Sequence, residues 1–130
     1  MIIRVYHPPG RPVPALSEGK FLEVAVHGKE YLLFASSELH RYHNQILAHF
    51  LVDQKIPHRW LTSKELQVDY PELRVMGGGR YRLDSAIRTL TLWDESQAYG
   101  SFDAHALAKI IAAAGPPWNT YRIVLPDRSI

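Results

Sequence analysis

Short apolar runs separated by turn-forming residues predict β-strands in the first third of the chain. An opening strand is predicted at residues 1–6, and the four prolines of residues 7–14 end it, because proline cannot continue regular hydrogen bonding. Two further apolar runs, at residues 21–26 and 30–35, flank Gly28. This pattern is typical of a β-hairpin with a glycine in its turn.

Two later segments have the three-to-four-residue spacing of an amphipathic helix. The first predicted helix is capped by Ser36 or Ser37 and ends near Gln54. The second begins at Asp103 and ends before the Gly-Pro-Pro sequence at residues 115–117. Their apolar faces consist of Leu39, Ile46, Leu47 and Phe50, and of Leu107, Ile110, Ile111 and Ala114.

Further strands are predicted in the second half of the chain, at residues 72–83, 87–93 and 121–125. Between residues 56 and 70 the periodicity does not separate helix from strand, and residues 63–66 could form one helical turn. The order of elements predicts an α+β sandwich, in which a mixed, mainly antiparallel sheet of five to six strands packs with two helices.

The composition excludes several classes of protein. With 130 residues, 46% of them hydrophobic, residues 1–130 are expected to form one domain with its own core. The absence of cysteine excludes disulfides, thiolate metal ligands and a cysteine nucleophile. No apolar run approaches the length of a membrane span and no signal peptide precedes the first strand, so we expect a cytoplasmic protein without a membrane partner.

The charge favours phosphorylated partners over nucleic acid. The net charge is only +2 and no basic stripe is visible, so nucleic-acid binding is not expected. Ten of the fifteen basic residues are arginine, whose guanidinium can make two parallel hydrogen bonds to a phosphate. An acidic or phosphorylated substrate fits this balance.

Two glycine-containing motifs are candidates for chemistry. Gly77, Gly78 and Gly79 lie inside a predicted strand, where three glycines cost backbone entropy. They allow a close backbone crossing, or they form a strip against which a phosphate lies beside Arg80. Residues 96–100 form either a simple connecting loop or a nest of backbone N–H groups for an anion.

His43 lies on the apolar stripe of the first predicted helix, where a histidine is either a satisfied core residue or a catalyst. His40 is one helical turn away, so the two could share a metal ion. However, His49 is predicted to lie about a third of the helix circumference from His40, and no carboxylate has a ligand spacing. We therefore expect no metal site and no cofactor.

The combination of these motifs resembles the janus/ocnus family of protein-histidine phosphatases. The resemblance covers about residues 39–111, and the spacing from the glycine run to the serine equals that of the family. The matching residues are Tyr42-His43-Asn44-Gln45-Ile46, Gly77-Gly78-Gly79-Arg80 and Ser96-Gln97-Ala98-Tyr99-Gly100.

The resemblance implies a small fold with two helices and a mixed sheet, and metal-independent hydrolysis of phosphohistidine in proteins or peptides. It implies that His43 is the catalytic residue, acting as a general base or as a transient phosphoryl acceptor. It also implies a binding site for the substrate's phosphoryl group, or for inorganic phosphate or sulfate. The implied phosphate-binding residues are Tyr42, Asn44, Gly78, Gly79, Arg80, Ser96, Gln97 and Ala98.

The family also has a functional lysine in an N-terminal strand, and two placements of it stay open. If residues 1–5 match that strand, the lysine would precede the chain. If residues 30–31 match it, Glu30 takes its place with Lys29 adjacent. Without this lysine, a non-catalytic module that binds phosphate or phosphopeptides is the alternative function. A domain in which the glycines serve packing alone is the third.

Overall fold

The computed structural model describes residues 1–126, which contain eight strands, two α-helices and one 3₁₀ helix. The strands are β1 (Ile2–Tyr6), β2 (Leu16–Val26), β3 (Lys29–Ser36), β4 (His58–Trp60), β5 (Leu66–Val68), β6 (Leu73–Asp84), β7 (Thr89–Trp93) and β8 (Arg122–Val124). The helices are α1 (His43–Asp53), α2 (Ala104–Ala112) and the 3₁₀ helix Trp118–Thr120.

Six strands form one sheet in the order β1-β3-β2-β6-β7-β8, and β4 and β5 form a separate hairpin. The three central pairings are antiparallel, whereas the edge strands β1 and β8 pair in parallel with β3 and β7. Strand β8 can run parallel to β7 because α2 lies in the connection between them. The predicted α+β class, with a mixed and mainly antiparallel sheet and two helices, is confirmed.

The sheet separates two apolar cores, one beneath each helix. Successive residues of β2 point to opposite faces of the sheet. Leu22 therefore shares a core with Phe50 of α1, whereas Phe21 shares the other core with Leu107 of α2. Burying one such side chain contributes roughly 1.5–3 kcal/mol to folding, so both helices are held firmly against the central strands.

Helix α1 begins later than the sequence predicts. The Ser36 carbonyl accepts hydrogen bonds from the N–H groups of Leu39 and His40, both at 3.0 Å, and this closes a single turn. The helix starts only at His43, where the Gln45 side chain accepts from the backbone just before it.

No helix in the described part of the chain is long and apolar enough to cross a membrane.

The predicted helical turn at residues 63–66 is wrong. Leu66 begins strand β5, which pairs with β4 in an antiparallel hairpin. The loop of this hairpin is closed by the Thr62 hydroxyl, which accepts from the N–H groups of Lys64 and Glu65 at 3.1 Å. A threonine hydroxyl that bonds nearby backbone in this way favours a turn over a helix.

The strand predicted at residues 87–93 is present but begins at Thr89. The preceding residues form a turn because the Asp84 carboxylate accepts two backbone N–H groups there. The start of α2 is confirmed: the Asp103 carboxylate accepts the Ala106 N–H at 3.1 Å, as an N-cap residue should.

Candidate functional site

The ring of His43 lies against the middle glycine of strand β6. His43 is the first residue of α1, and only 6% of its surface is exposed. A Cβ atom added to Gly78 would lie 3.1 Å from the imidazole and would clash with the backbone oxygen of Phe21. Position 78 is therefore a glycine because α1 packs its first side chain directly on the β6 backbone.

The other two glycines of this run allow close packing of different segments. Gly77 has φ = +138°, which side chains rarely adopt, and it lies against the backbone of Ser101. A Cβ atom at Gly79 would lie 2.9 Å from the ring of Phe102 and 3.0 Å from that of Phe21, in the core beneath α2. The glycine run thus permits close approach on both faces of β6.

One ring nitrogen of His43 is fixed by a hydrogen bond. Nε2 lies 3.0 Å from the Gly79 carbonyl oxygen, which can only accept, so Nε2 carries the proton. Burial lowers the pKa of His43 below its ordinary value of 6.5, and the positive charge of Lys20 lowers it further. The bond to the Gly79 carbonyl, the backbone of Phe21 and the negative charge of Asp94 oppose this shift without reversing it. His43 is therefore neutral at pH 7, and its unprotonated nitrogen is Nδ1.

The N-terminus of α1 presents backbone donors. The Gln45 side-chain oxygen accepts from the N–H groups of Arg41 at 2.8 Å and Tyr42 at 3.1 Å. The N–H groups of His43 and Asn44 follow, and neither has a hydrogen-bond partner in the described part of the chain. Together with the positive end of the helix dipole, such N–H groups favour an anion.

His43 lines a cavity of about 460 Å³. The lining residues are Lys20, Tyr42, His43, Asn44, Lys64, Arg80, Asp94, Glu95, Gln97 and Ala98. Six of the predicted site residues therefore converge on one cavity from distant parts of the chain. Gly78, Gly79 and Ser96 are buried and do not line it.

Three cations and two carboxylates line this cavity. Lys20 and Arg80 are directly opposite each other in the β2–β6 register, so their side chains lie on the same face of the sheet. Burial lowers the pKa of Lys20, and the Arg80 charge lowers it further. The Arg80 Nε is 3.0 Å from the Asp94 carboxylate. Lys64 comes from the β4–β5 hairpin, and Glu95 follows β7.

Ser96 closes the loop that carries Gln97 and Ala98. Its backbone exchanges hydrogen bonds of 3.1 and 2.8 Å with Gly100, and its buried hydroxyl accepts the Tyr99 N–H at 3.1 Å. The loop thereby brings Gln97 and Ala98 to the cavity, and their N–H groups make no hydrogen bond to any described residue. Ser96 therefore shapes this loop.

Lys20 is the site residue that sequence reasoning missed. Lys20 precedes Leu22 and Val24 at two-residue intervals, so all three lie on the face of β2 that points toward α1. A lysine at this spacing from apolar residues was the available signal. The residues considered in its place, Lys29 and Glu30, do not line the cavity. They lie at the start of β3, in the β2–β3 hairpin. Lys29 pairs with Val26, which is six residues from Lys20 along β2, so Lys29 lies about 20 Å from Lys20.

His40 and His49 form a separate pair that does not line the cavity. Because His40 precedes α1 and does not lie on it, the predicted separation is wrong, and its Nε2 is 2.8 Å from Nδ1 of His49. The His49 ring also stacks on Tyr6, with 4.0 Å between centroids. Among residues 1–126, no group of three or more histidine or acidic residues is arranged to hold a metal ion.

No protein-family model matches this chain, and no curated protein is significantly similar to it. The resemblance to the janus/ocnus family therefore rests on the three motifs alone. The function must be inferred from the cavity itself.

Replacement of Gly78 by alanine is expected to lower the free energy of unfolding by about 2–3 kcal/mol. The added methyl group must displace either the backbone of β2 or the ring of His43. Gly115→Ala is the matched control, because no atom lies within 4 Å of a Cβ atom at that position. Chemical denaturation measures both variants, and equal stabilities would contradict the close packing of His43 on β6.

Proposed function

We propose that the chain is a metal-independent phosphohistidine phosphatase, which hydrolyses the phosphorus–nitrogen bond of phosphohistidine in a protein or peptide. The main support is that a buried and neutral His43 lines the same cavity as Lys20, Arg80 and the N-terminus of α1. Phosphoryl transfer requires a base or nucleophile next to a concentration of groups that stabilise negative charge.

The phosphoryl oxygens are held by backbone donors from two segments. These donors are the N–H groups of His43, Asn44, Gln97 and Ala98. Both segments are preorganised, because Gln45 fixes the entry to α1 and Ser96 closes the second loop. Donors that need no rearrangement stabilise a transition state more than mobile ones do. Lys20 and Arg80 add positive charge from β2 and β6.

Two reaction routes use Nδ1 of His43. As a general base, Nδ1 takes a proton from water while the water oxygen bonds to phosphorus; the phosphorus–nitrogen bond breaks and its electron pair stays on the leaving nitrogen. As a nucleophile, Nδ1 itself bonds to phosphorus and releases the leaving nitrogen, and water then hydrolyses the phosphorylated His43. In both routes the leaving imidazole departs as a neutral ring, because its other nitrogen already carries a proton.

Lys20 supports catalysis in two ways. Its positive charge attracts the phosphoryl group, and the same charge keeps the pKa of His43 low, so that Nδ1 is unprotonated near pH 7. The alternative function, a non-catalytic module that binds phosphate, was supported by the apparent absence of the family's functional lysine. Because Lys20 lines the cavity, that alternative loses its main argument and remains as an outcome of the activity test.

A second cavity can accommodate the residue that carries the phosphoryl group. It has a volume of about 370 Å³ and shares Lys20, Tyr42 and Arg80 with the first. Trp93, which is opposite Arg80 in the β6–β7 register, also lines it. Two adjoining cavities suit a phosphorylated side chain on a peptide better than free phosphate, and this supports a protein or peptide substrate.

The proposal is tested by release of phosphate from a phosphohistidine peptide in the presence of a chelator. His43→Ala is expected to lower kcat/KM at least about 100-fold, because the base or nucleophile is lost. His105→Ala is the control, since His105 is exposed on α2. No turnover by the intact protein, or full turnover by His43→Ala, would contradict the proposal. Saturable phosphate binding without turnover would instead support the binding module.

Removal of the Lys20 charge should shift the pH dependence of the reaction. Because this charge lowers the pKa of His43, Lys20→Met should raise that pKa and move the acid limb of kcat/KM to higher pH. NMR titration of the imidazole measures the pKa of His43 without turnover. Lys109→Met, on the exposed face of α2, is the control. An unchanged or lowered pKa in Lys20→Met would contradict the assigned role.

A further inference from the structure

Two acidic residues line the proposed phosphate cavity, and their contacts within residues 1–126 differ. Asp94 is engaged in its ion pair with Arg80. The Glu95 carboxylate also belongs to the lining, but it makes no hydrogen bond or ion pair with any residue of the described chain. A negative charge in this position is unexpected, because it repels the phosphate that the surrounding cations attract.

The backbone fixes the position of Glu95 on both sides. Asp94 precedes it in a left-handed conformation, with φ = 67°, and its carboxylate accepts the Glu95 N–H at 2.9 Å. Ser96 follows, buried and paired with Gly100. These contacts hold the backbone of Glu95 at the cavity wall, and its side chain is exposed.

The chemistry of the leaving group gives this carboxylate a use. In a phosphate ester the bridging oxygen is neutral, so a carboxylate beside the phosphoryl group only weakens binding. In a phosphoramidate the leaving group must be protonated as the bond to phosphorus breaks. An amine carries this proton on the nitrogen bonded to phosphorus, and the imidazole of phosphohistidine carries it on the other ring nitrogen. In both cases a positive charge lies close to phosphorus. A carboxylate attracts that charge and favours the protonated form.

We propose that Glu95 determines specificity by selecting substrates whose phosphoryl group is attached to a protonated amine or imidazole and by rejecting simple phosphates and phosphate esters. This inference rests on the proposed function and refines it. Lys20, Arg80 and the backbone donors bind the phosphoryl oxygens of any substrate. Glu95 discriminates between substrates by the charge on the nitrogen-containing group attached to phosphorus.

The test compares two small ligands that differ in this group. Phosphoramidate carries a protonated nitrogen on phosphorus near pH 7, whereas inorganic phosphate carries oxygen. Their Kd values are measured by calorimetry in His43→Ala and in His43→Ala combined with Glu95→Gln, so that no turnover occurs. Loss of the carboxylate should tighten phosphate binding, weaken phosphoramidate binding, and change the ratio of the two Kd values about five- to tenfold.

Glu30→Gln in the same His43→Ala background is the matched control, since Glu30 is exposed in the β2–β3 hairpin and does not line the cavity. The assignment would be overturned if the ratio of the two Kd values were the same in the Glu95→Gln variant and in the control. It would also be overturned if Glu95→Gln changed both Kd values in the same direction by the same factor. Because the comparison uses binding alone, failure of the Glu95 role is distinguishable from failure of catalysis, which the phosphohistidine peptide measures in the intact protein.

Discussion

The candidate site depends on the contact between the His43 ring and the bare backbone of β6. A side chain at residue 78 would press on the ring and clash with the Phe21 backbone oxygen, and the contact places Nε2 within hydrogen-bonding distance of the Gly79 carbonyl. The hydrogen bond sets the tautomer, and burial sets the direction of the pKa shift. The same contact fixes the start of α1, so the helix N-terminus and the imidazole occupy fixed positions relative to each other.

The charges around this contact come from elements that are adjacent only in the folded chain. Lys20 and Arg80 meet through the register of β2 with β6, and Asp94 holds Arg80 from the end of β7. Lys64 comes from the separate β4–β5 hairpin, whose loop is tied to α1 because the Asn44 side chain donates to the Lys64 carbonyl. The cavity is therefore an assembly of strand register and loop closure, which places several donors and cations around one volume.

Local patterns predicted the parts of the fold that local interactions determine. The hairpin around Gly28 and the N-cap at Asp103 follow from turn and capping chemistry, and both are present. The start of α1 did not follow, since Ser36 can either cap a helix or close a turn, and its neighbours decide between the two. His43 was identified from its motif, but its hydrogen bond to Gly79 depends on tertiary packing.

Residues whose role depends on strand pairing were the hardest to predict. Lys20 lines the cavity only because β2 lies beside β6, and nothing in its immediate sequence reveals that neighbour. Ser96 was predicted from its motif to bind phosphate, and the sequence did not predict that its hydroxyl also closes the loop by accepting the Tyr99 N–H. Both cases show that residue type and spacing identify a candidate site, while register and hydrogen bonding assign the role of each residue.

The central claim is that His43 offers an unprotonated Nδ1 to a phosphoryl group bound in this cavity. Long-range proton–nitrogen NMR of the imidazole, recorded near pH 7 with and without inorganic phosphate, tests it most directly. The structure predicts a neutral ring protonated at Nε2, with the Nδ1 resonance shifted when phosphate binds. A ring protonated at Nδ1, a charged imidazolium, or an Nδ1 resonance that does not respond to saturating phosphate would contradict the account.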